Sequence, residues 1–278
     1  MRLLVCSLED SASVNVRDRL MESVDWKEQG LFQDRPVLVH GNDALVTTDE
    51  RHLFADDIDI RVRGATDLEV ECVIFLSRHK AASGIPTLTV HPIGNFAPKA
   101  DYGGRPGTLV PSSPDLMTSL LRSMQSQASG LSYQISFEVT HHGPYLTAPT
   151  LYIEIGSSES QWPDAKAGEA LARALLEAEV LKATKAIGVG GGHYAPRFTE
   201  VALKKKVSIG HMIPNHFADS ATDECLVLAM KKALEASDGA NLVYIHKKSM
   251  SRSRATHLKE LVKQLGADVL DSSGLEDL

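Results

Sequence analysis

Short apolar runs alternate with longer, helically periodic segments along almost the whole chain, and this rhythm most narrows what the chain can become. "RLLVCS" (2–7) has the look of a strand, and "SASVNVRDRLMESV" (11–24) of the helix that follows it. "PVLVHGNDALVTTD" (36–49) predicts a hairpin turning at Gly41-Asn42-Asp43. "VECVIFLSRH" (70–79) is apolar enough to be covered on both faces. Further strands are expected in "PTLTVHP" (86–92), "QISFEVT" (134–140), "TLYIEIGS" (150–157), "KAIGVGGG" (185–192), "KVSIG" (206–210) and "NLVYI" (241–245), with "GADVLD" (266–271) as a last short one. Helical spacing marks 112–129, 163–183 and 254–265.

Alternation of this kind predicts an α/β fold whose central sheet is mixed and mostly parallel, flanked by helices. The hairpin near residue 40 and the consecutive strands around 135–155 argue against a purely parallel sheet. The Gly- and Pro-rich stretch 93–115 lacks linker character and reads as a long loop, either a binding loop or lid or a mobile surface loop. A single domain over residues 1–278 is expected.

With 43% hydrophobic and 23% charged residues the chain can bury a sizeable core, and its net charge of -7 excludes a polycation drawn to nucleic acid by total charge. Any such partner needs a local basic face, and the basic runs fall late: Arg197 with Lys204, Lys205 and Lys206, then Lys247 and Lys248 with Arg252, Arg254 and Lys259. Cys6, Cys72 and Cys225 form no C-x-x-C pair and read as isolated buried thiols in a reducing compartment. A bound metal would then fall to His, Asp and Glu. The opening "MRLLVCSLED" is too short in its apolar run for a signal peptide or a membrane span, so a cytoplasmic protein beginning on a core strand is expected.

Five predicted strands end in histidine: His79 after "CVIFLSR", His91 after "TLTV", His141 and His142 after "ISFEVT", His193 after "AIGVGGG" and His211 after "VSIG". Parallel strands deliver their carboxyl ends to one rim, where ligands bind, so the pattern predicts an imidazole-rich pocket there. Glu138 lies three residues before His141, in a strand whose period-2 alternation predicts one buried and one exposed face. His141 and His142 would face opposite sides unless the chain has turned by then, and Gly143-Pro144 makes a turn possible. "GVGGGHY" fits the first two positions of G-x-G-x-x-G with Gly188 and Gly190 but puts His193 at the third, so a dinucleotide site is not supported. The echo of "GHYAP" (192–196) in "GHMIP" (210–214) is taken as repeated turn chemistry. There is no G-x-S-x-G elbow and no H-E-x-x-H helix. Hydrolysis on this chain would rest on water, positioned by imidazole or carboxylate or activated by a metal held by His and Glu.

Four separated motifs carry a family resemblance: "FLSRHKAASGIPTLTVHPIGN" (75–95), "FEVTHHGPY" (137–145), "VGGGHYAPRF" (189–198) and "IGHMIPNH" (209–216). In this order, over essentially the whole chain, they resemble the archaeal and plant-type D-aminoacyl-tRNA deacylases. That resemblance implies hydrolysis of the ester between a D-amino acid and the 3′-terminal ribose of tRNA. It also implies a phosphorylase/hydrolase-like fold related to peptidyl-tRNA hydrolases, and zinc as cofactor; from the sequence itself no membrane and no obligate protein partner is expected. The roles it suggests are water activation by His141 or His142, with Glu138 orienting an imidazole or joining a metal site. His193 and the amides of Gly190, Gly191 and Gly192 would approach the carbonyl oxygen or the terminal adenosine. His79, His91, His142 and Glu138 would be metal ligands, and Arg197, Lys204, Lys205, Lys206, Lys247 and Lys248 would meet tRNA phosphates. The alternatives are a metal-dependent esterase or peptidase on small substrates, a hydrolase of peptidyl- or N-modified aminoacyl-tRNA, and a tRNA-binding module without turnover.

Overall fold

The computed structural model describes residues 1–278. Its strands are β1 (Arg2–Ser7), β2 (Lys27–Phe32), β3 (Arg35–His40), β4 (Asp43–Thr48), β5 (Cys72–Arg78), β6 (Thr87–Pro92), β7 (Gln134–Phe137), β8 (Thr150–Gly156), β9 (Thr184–Val189), β10 (Val207–Ile213), β11 (Leu242–Ile245) and β12 (Asp268–Val269). Its helices are α1 (Ser11–Ser23), α2 (Ile58–Thr66), α3 (Pro114–Gln127), α4 (Ala165–Glu177), α5 (Pro196–Lys204), α6 (Asn215–Ser220), α7 (Asp223–Glu235) and α8 (Arg252–Gln264).

Eight strands form one sheet in the order β2-β3-β4-β1-β5-β8-β6-β7, and four form another in the order β10-β9-β11-β12. In the larger sheet β4, β1, β5 and β8 are parallel, β2-β3-β4 is an antiparallel meander, and β6 opposes β8 while β7 runs parallel to β6. The expected mixed, mostly parallel α/β sheet is present, and the hairpin turns at Gly41-Asn42 as anticipated. The second sheet is wholly parallel. Its strands carry the same short apolar runs as the first, so sequence pattern alone does not separate the two.

Residue parity along the strands builds two cores on the larger sheet. Leu4, Cys6, Ile74, Leu76, Ile153 and Ile155 point to the side covered by α1, α3 and α4. Leu3, Val5, Val73, Phe75 and Tyr152 point to the other side, where Ile58 and Val62 of α2 close the core. A third cluster joins Ile187, Val189, Val243 and Ile245 of the second sheet to α7 and α8. Cys6 and Cys72 are buried free thiols as expected, whereas Cys225, in the first turn of α7, is exposed.

Two features fasten the sheets together. Helix α3 packs on both β6 and β10, and Arg122 on it donates to the carbonyls of Ala202, Lys205 and Val207. The segment after β7 does the same with backbone: Glu138 N donates to Val90 O in the first sheet, while Thr140 N donates to Met212 O in the second.

Candidate active site

On the second face of the large sheet, apolar character runs out toward one end. Leu3 and Val5 give way to Ser7, Val73 and Phe75 to Ser77 and His79, and Tyr152 to Glu154, all at the same parity. Thr89 and His91 of β6 complete that face, paired with Glu154 and Tyr152. Glu154 is the one carboxylate in an otherwise apolar strand and is 3% exposed. An ionised carboxylate in such a place costs several kcal/mol unless paired. The lone acid in "TLYIEIGS" is the signal that sequence reading passed over.

The strand expected over 134–140 stops at Phe137, and its predicted half-exposed alternation is absent. Ser136, Glu138 and Thr140 are buried together with Phe137 and Val139. The reason is the second sheet. Val139 N donates to His193 O and Ala195 N to Phe137 O, so chain from beyond β9 covers the side that would have met solvent. His142 then adopts φ +46°, a left-handed conformation uncommon for histidine. That turn lets both His141 and His142 line the same cleft, so no choice between them is forced.

Five imidazoles therefore converge on two buried carboxylates. His79 Nδ1 lies 3.2 Å from Glu138 Oε1 and 3.5 Å from Glu154 Oε2. His91 Nε2 lies 3.6 Å from Glu154 Oε2, His141 Nε2 3.6 Å from Glu138 Oε2, and His193 Nε2 2.8 Å from the same oxygen. His142 stands edge-on to His141, their ring centroids 4.3 Å apart. His91 belongs to β6, which opposes β8, so convergence does not come from parallel carboxyl ends alone as the sequence pattern implied.

Electrostatics divide the histidines into two kinds. Burial disfavours charge on His79 and His91, but Glu154 and Glu138 outweigh it and hold both above the ordinary histidine value. Burial, followed by the repulsion of His91, pushes His142 down to about 3 and His141 well below 6.5. The latter two are neutral imidazoles at physiological pH, able to accept a proton or bind a metal. Burial raises the Glu154 carboxyl, yet its contacts with His79 and His91 bring it well below the usual range. Several buried polar atoms lack hydrogen-bond partners: Nε2 of His79, Nε2 of His91, both oxygens of Glu138 and the hydroxyl of Tyr152. His193 approaches Glu138 closely but out of hydrogen-bond alignment.

His79, His141, His142, His193, Tyr152 and Glu154 line a cleft of about 520 Å³, and His91 and Glu138 lie fully buried behind that lining. Its outer wall adds Arg51, Arg78, Lys80 and Tyr102, none of them singled out from sequence. The long loop 93–115 supplies Tyr102 and folds back on itself through Asn95 N to Thr108 O and Gly107 N to Ala97 O.

Other sequence candidates lie elsewhere. His211 is not at a strand end: β10 continues to Ile213, and the ring is buried between Val110 O (2.9 Å) and Thr140 Oγ1 (3.1 Å). Two of the three glycine amides are already occupied, Gly190 N by Ile213 O and Gly191 N by Asn215 Oδ1 and Ser249 Oγ. A Cβ on Gly190 would meet Ser249 Oγ at 2.7 Å, so that glycine serves close packing, while Gly192 is exposed. Arg197 is held by Tyr244, Glu200 and Ser272. Lys204, Lys205 and Lys206 pair with Glu200, Asp277 and Glu276 respectively. Lys247 and Lys248 are exposed on the turn after β11, at the carboxyl edge of the second sheet.

A family model described as D-aminoacyl-tRNA deacylase matches residues 66–270. A D-aminoacyl-tRNA deacylase of Methanosarcina mazei is 38% identical over 99% of this chain and 93% of its own length. One of Pyrococcus furiosus is 33% identical over 97% and 99%. One of Methanococcoides burtonii is 38% identical over 99% of this chain, which spans 57% of that relative's length. A crystal structure described as a conserved protein of unknown function superposes with a TM-score of 0.88 at 32% identity, covering 99% of this chain and 98% of the other.

Proposed function

The chain belongs to the D-aminoacyl-tRNA deacylase family, and from that membership we propose that it hydrolyses the ester joining a D-amino acid to the 3′-terminal ribose of tRNA. The observation that carries the chemistry is the pair of buried carboxylates, Glu138 and Glu154, met by four imidazoles, with a fifth, His142, packed against His141 at the base of the cleft. An aminoacyl ester is already activated, so water, a base and a proton donor for the leaving oxygen suffice. His141 or His142, held neutral by burial, takes the one proton from water as its oxygen bonds to the carbonyl carbon. The carbon–oxygen bond to the ribose then breaks. His193, half-exposed above Glu138 and with its ring centroid 4.7 Å from that of His141, relays that proton to the departing ribose oxygen. Tyr152, its phenol held well above its ordinary pKa of 10 by burial and then by Glu154, stays protonated beneath the histidines.

The residues fit zinc. Three groups have their ligand atoms within 4.8 Å of one another: His91 with His141 and His142, His79 with Glu138 and His193, and His91 with Glu138 and Glu154. The unpartnered Nε2 atoms of His79 and His91 and both oxygens of Glu138 are the buried polar atoms such an ion would satisfy. A zinc ion held there would acidify water and polarise the ester carbonyl. Glu154, contacting both His79 and His91, orients those rings.

Phosphate contacts are assigned to the exposed Lys247 and Lys248 ahead of Lys204, Lys205, Lys206 and Arg197, whose charges are met within the chain. A tRNA substrate and free cysteines fit the cytoplasm, and no helix is long and apolar enough to cross a membrane. The deciding experiment compares release of D-tyrosine and L-tyrosine from charged tRNA, with and without a chelator. Rapid release of the D form alone supports the reading. Equal release of both, or comparable turnover of free D-aminoacyl esters, transfers the site to a general esterase.

A further inference from the structure

The mouth of the cleft carries three cations with no carboxylate partner. Arg51 and Lys80 are exposed, and Arg78 lies partly covered. None forms an ion pair, although Lys204, Lys205, Lys206, Arg197, Arg35 and Arg61 all do. Arg78 is held with its guanidinium 5.0 Å from the Trp162 ring centroid while Nη1 donates to Glu9 O. Of the three lining carboxylates, Asp10 and Glu154 are buried and only Glu9 is exposed, so the solvent-facing rim is positive although the chain carries a net charge of -7.

Beside these cations stands Tyr102, 70% exposed. Its ring leaves a π-face open for a partner to stack on. Its backbone is nonetheless fixed. Tyr102 O accepts from Gly143 N, the residue after His142, and Gly103 O accepts from Asn95 Nδ2. A Cβ on Gly103 would fall 1.7 Å from Leu53 O, and one on Gly143 would fall 2.1 Å from Gly104 N. Three backbones approach too closely for any side chain, and together they hold one bare aromatic ring at the cleft entrance.

We propose that Arg51, Arg78, Lys80 and Tyr102 form the docking surface for the unpaired 3′ end of a nucleic acid, the cations meeting backbone phosphates and Tyr102 stacking on a base. A pinned aromatic beside unpaired cations is the arrangement that binds single strands, since every base offers a π-face and every phosphate a charge. Duplex would not serve, because its bases are already stacked. This surface rests on the reading of the cleft as a tRNA-ester hydrolase and extends it. It assigns recognition of the acceptor end to the cleft mouth, apart from Lys204, Lys205 and Lys206 at the end of α5.

The test is fluorescence anisotropy with an RNA hairpin bearing a single-stranded ACCA 3′ end, against the same hairpin with a blunt end. The wild-type chain should prefer the overhang. Arg51→Ala/Lys80→Ala should weaken overhang binding about tenfold or more and reduce its log–log salt slope by about 0.7 per lost contact. Tyr102→Ala should weaken it about fivefold or more. Thermal unfolding of each variant should match the wild type, since all three side chains are exposed. Equal affinity for overhang and blunt hairpin, or variants that bind like wild type, overturns the proposal. Deacylation by the wild type is measured separately, so overhang binding without ester hydrolysis would sink the enzymatic reading and leave this surface standing.

Discussion

His193 Nε2 lies 2.8 Å from Glu138 Oε2, joining an imidazole whose side chain is 46% exposed to a carboxylate with no exposed surface. A solvent-facing ring is thus tied to the centre of a buried cluster whose other oxygen faces His79. Protons at the cleft mouth and charge at its floor are coupled through one residue.

Replacing that carboxylate isolates its role. Glu138→Gln keeps the volume but removes the charge that faces His79, His141 and His193. We expect kcat on D-aminoacyl-tRNA to fall about 100-fold or more. The fold should survive, because a neutral amide costs less to bury than a carboxylate. Single-turnover kinetics together with thermal unfolding check both halves, and a Gln variant with wild-type turnover would remove Glu138 from the mechanism.

The triple-lysine run at the end of α5 offers a contrast. Lys204 and Lys206 already face Glu200 and Glu276. Lys204→Glu/Lys206→Glu should therefore leave KM for charged tRNA and its salt slope within about twofold of wild type, at a stability cost of about 1 kcal/mol. A marked rise in KM would restore these lysines as the phosphate face that their sequence suggests.

The backbone contact beneath Tyr102 is equally open to test. Gly103 has φ +79° and no room for a methyl group against Leu53 O, whereas Gly84, at φ +63°, has no neighbouring atom within 4 Å of where a Cβ would stand. Gly84→Ala should cost about 1 kcal/mol, the conformational term alone, and leave turnover intact. Gly103→Ala should cost more than that and raise KM, because the loop holding Tyr102 must shift. Denaturant unfolding and steady-state kinetics of the pair distinguish strain from displacement.

Much of this was legible in the chain, and the exceptions share a cause. Strand-end histidines mark the cluster because imidazoles seldom sit in "VIFLSRH" or "TLTVHP" by chance of composition, and His79, His91, His141, His142 and His193 do meet. His211 carries the same signal but is a core residue, since strand length cannot be read to within two positions. Glu154 escapes notice because a lone acid in an apolar strand gives no hint of its partners until β5 and β6 are placed beside it. Arg51, Arg78, Lys80 and Tyr102 come from separate segments and share no pattern. The lysine runs stand out because they are contiguous, and contiguity says nothing about the carboxylates of the C-terminal tail that meet them.

His211 makes the acid limb of stability predictable. Burial brings its pKa down to about 4, against 6.5 ordinarily, so the folded chain keeps it neutral where the unfolded chain would protonate it. Its contribution is complete above pH 6.5 and is lost as pH falls toward 4, amounting to about 3 kcal/mol at most. Urea unfolding from pH 7.5 to 4 should show that decline. His211→Gln should be less stable at pH 7 by about 1–2 kcal/mol, having lost its fit between Val110 O and Thr140 Oγ1, yet show a shallower fall. Parallel pH profiles for variant and wild type would assign the acid limb to other groups.

Metal dependence gives the most direct reading of the cluster. The donors are imidazole and carboxylate, with both thiols of the sheet, Cys6 and Cys72, buried on the face opposite. Zinc should therefore bind through nitrogen and oxygen only. Cobalt substitution should give visible bands without the intense near-ultraviolet charge transfer of thiolate ligation. Glu138→Gln and His91→Ala should each lower bound zinc, measured by atomic emission, because each residue belongs to two of the three ligand groupings. His79→Ala and His142→Ala, each in one grouping, should lower it less. Chelation should abolish turnover and zinc restore it. Full activity in metal-stripped protein would instead leave His141 and His142 as the sole activators of water, and the unpartnered ring nitrogens of His79 and His91 without a role.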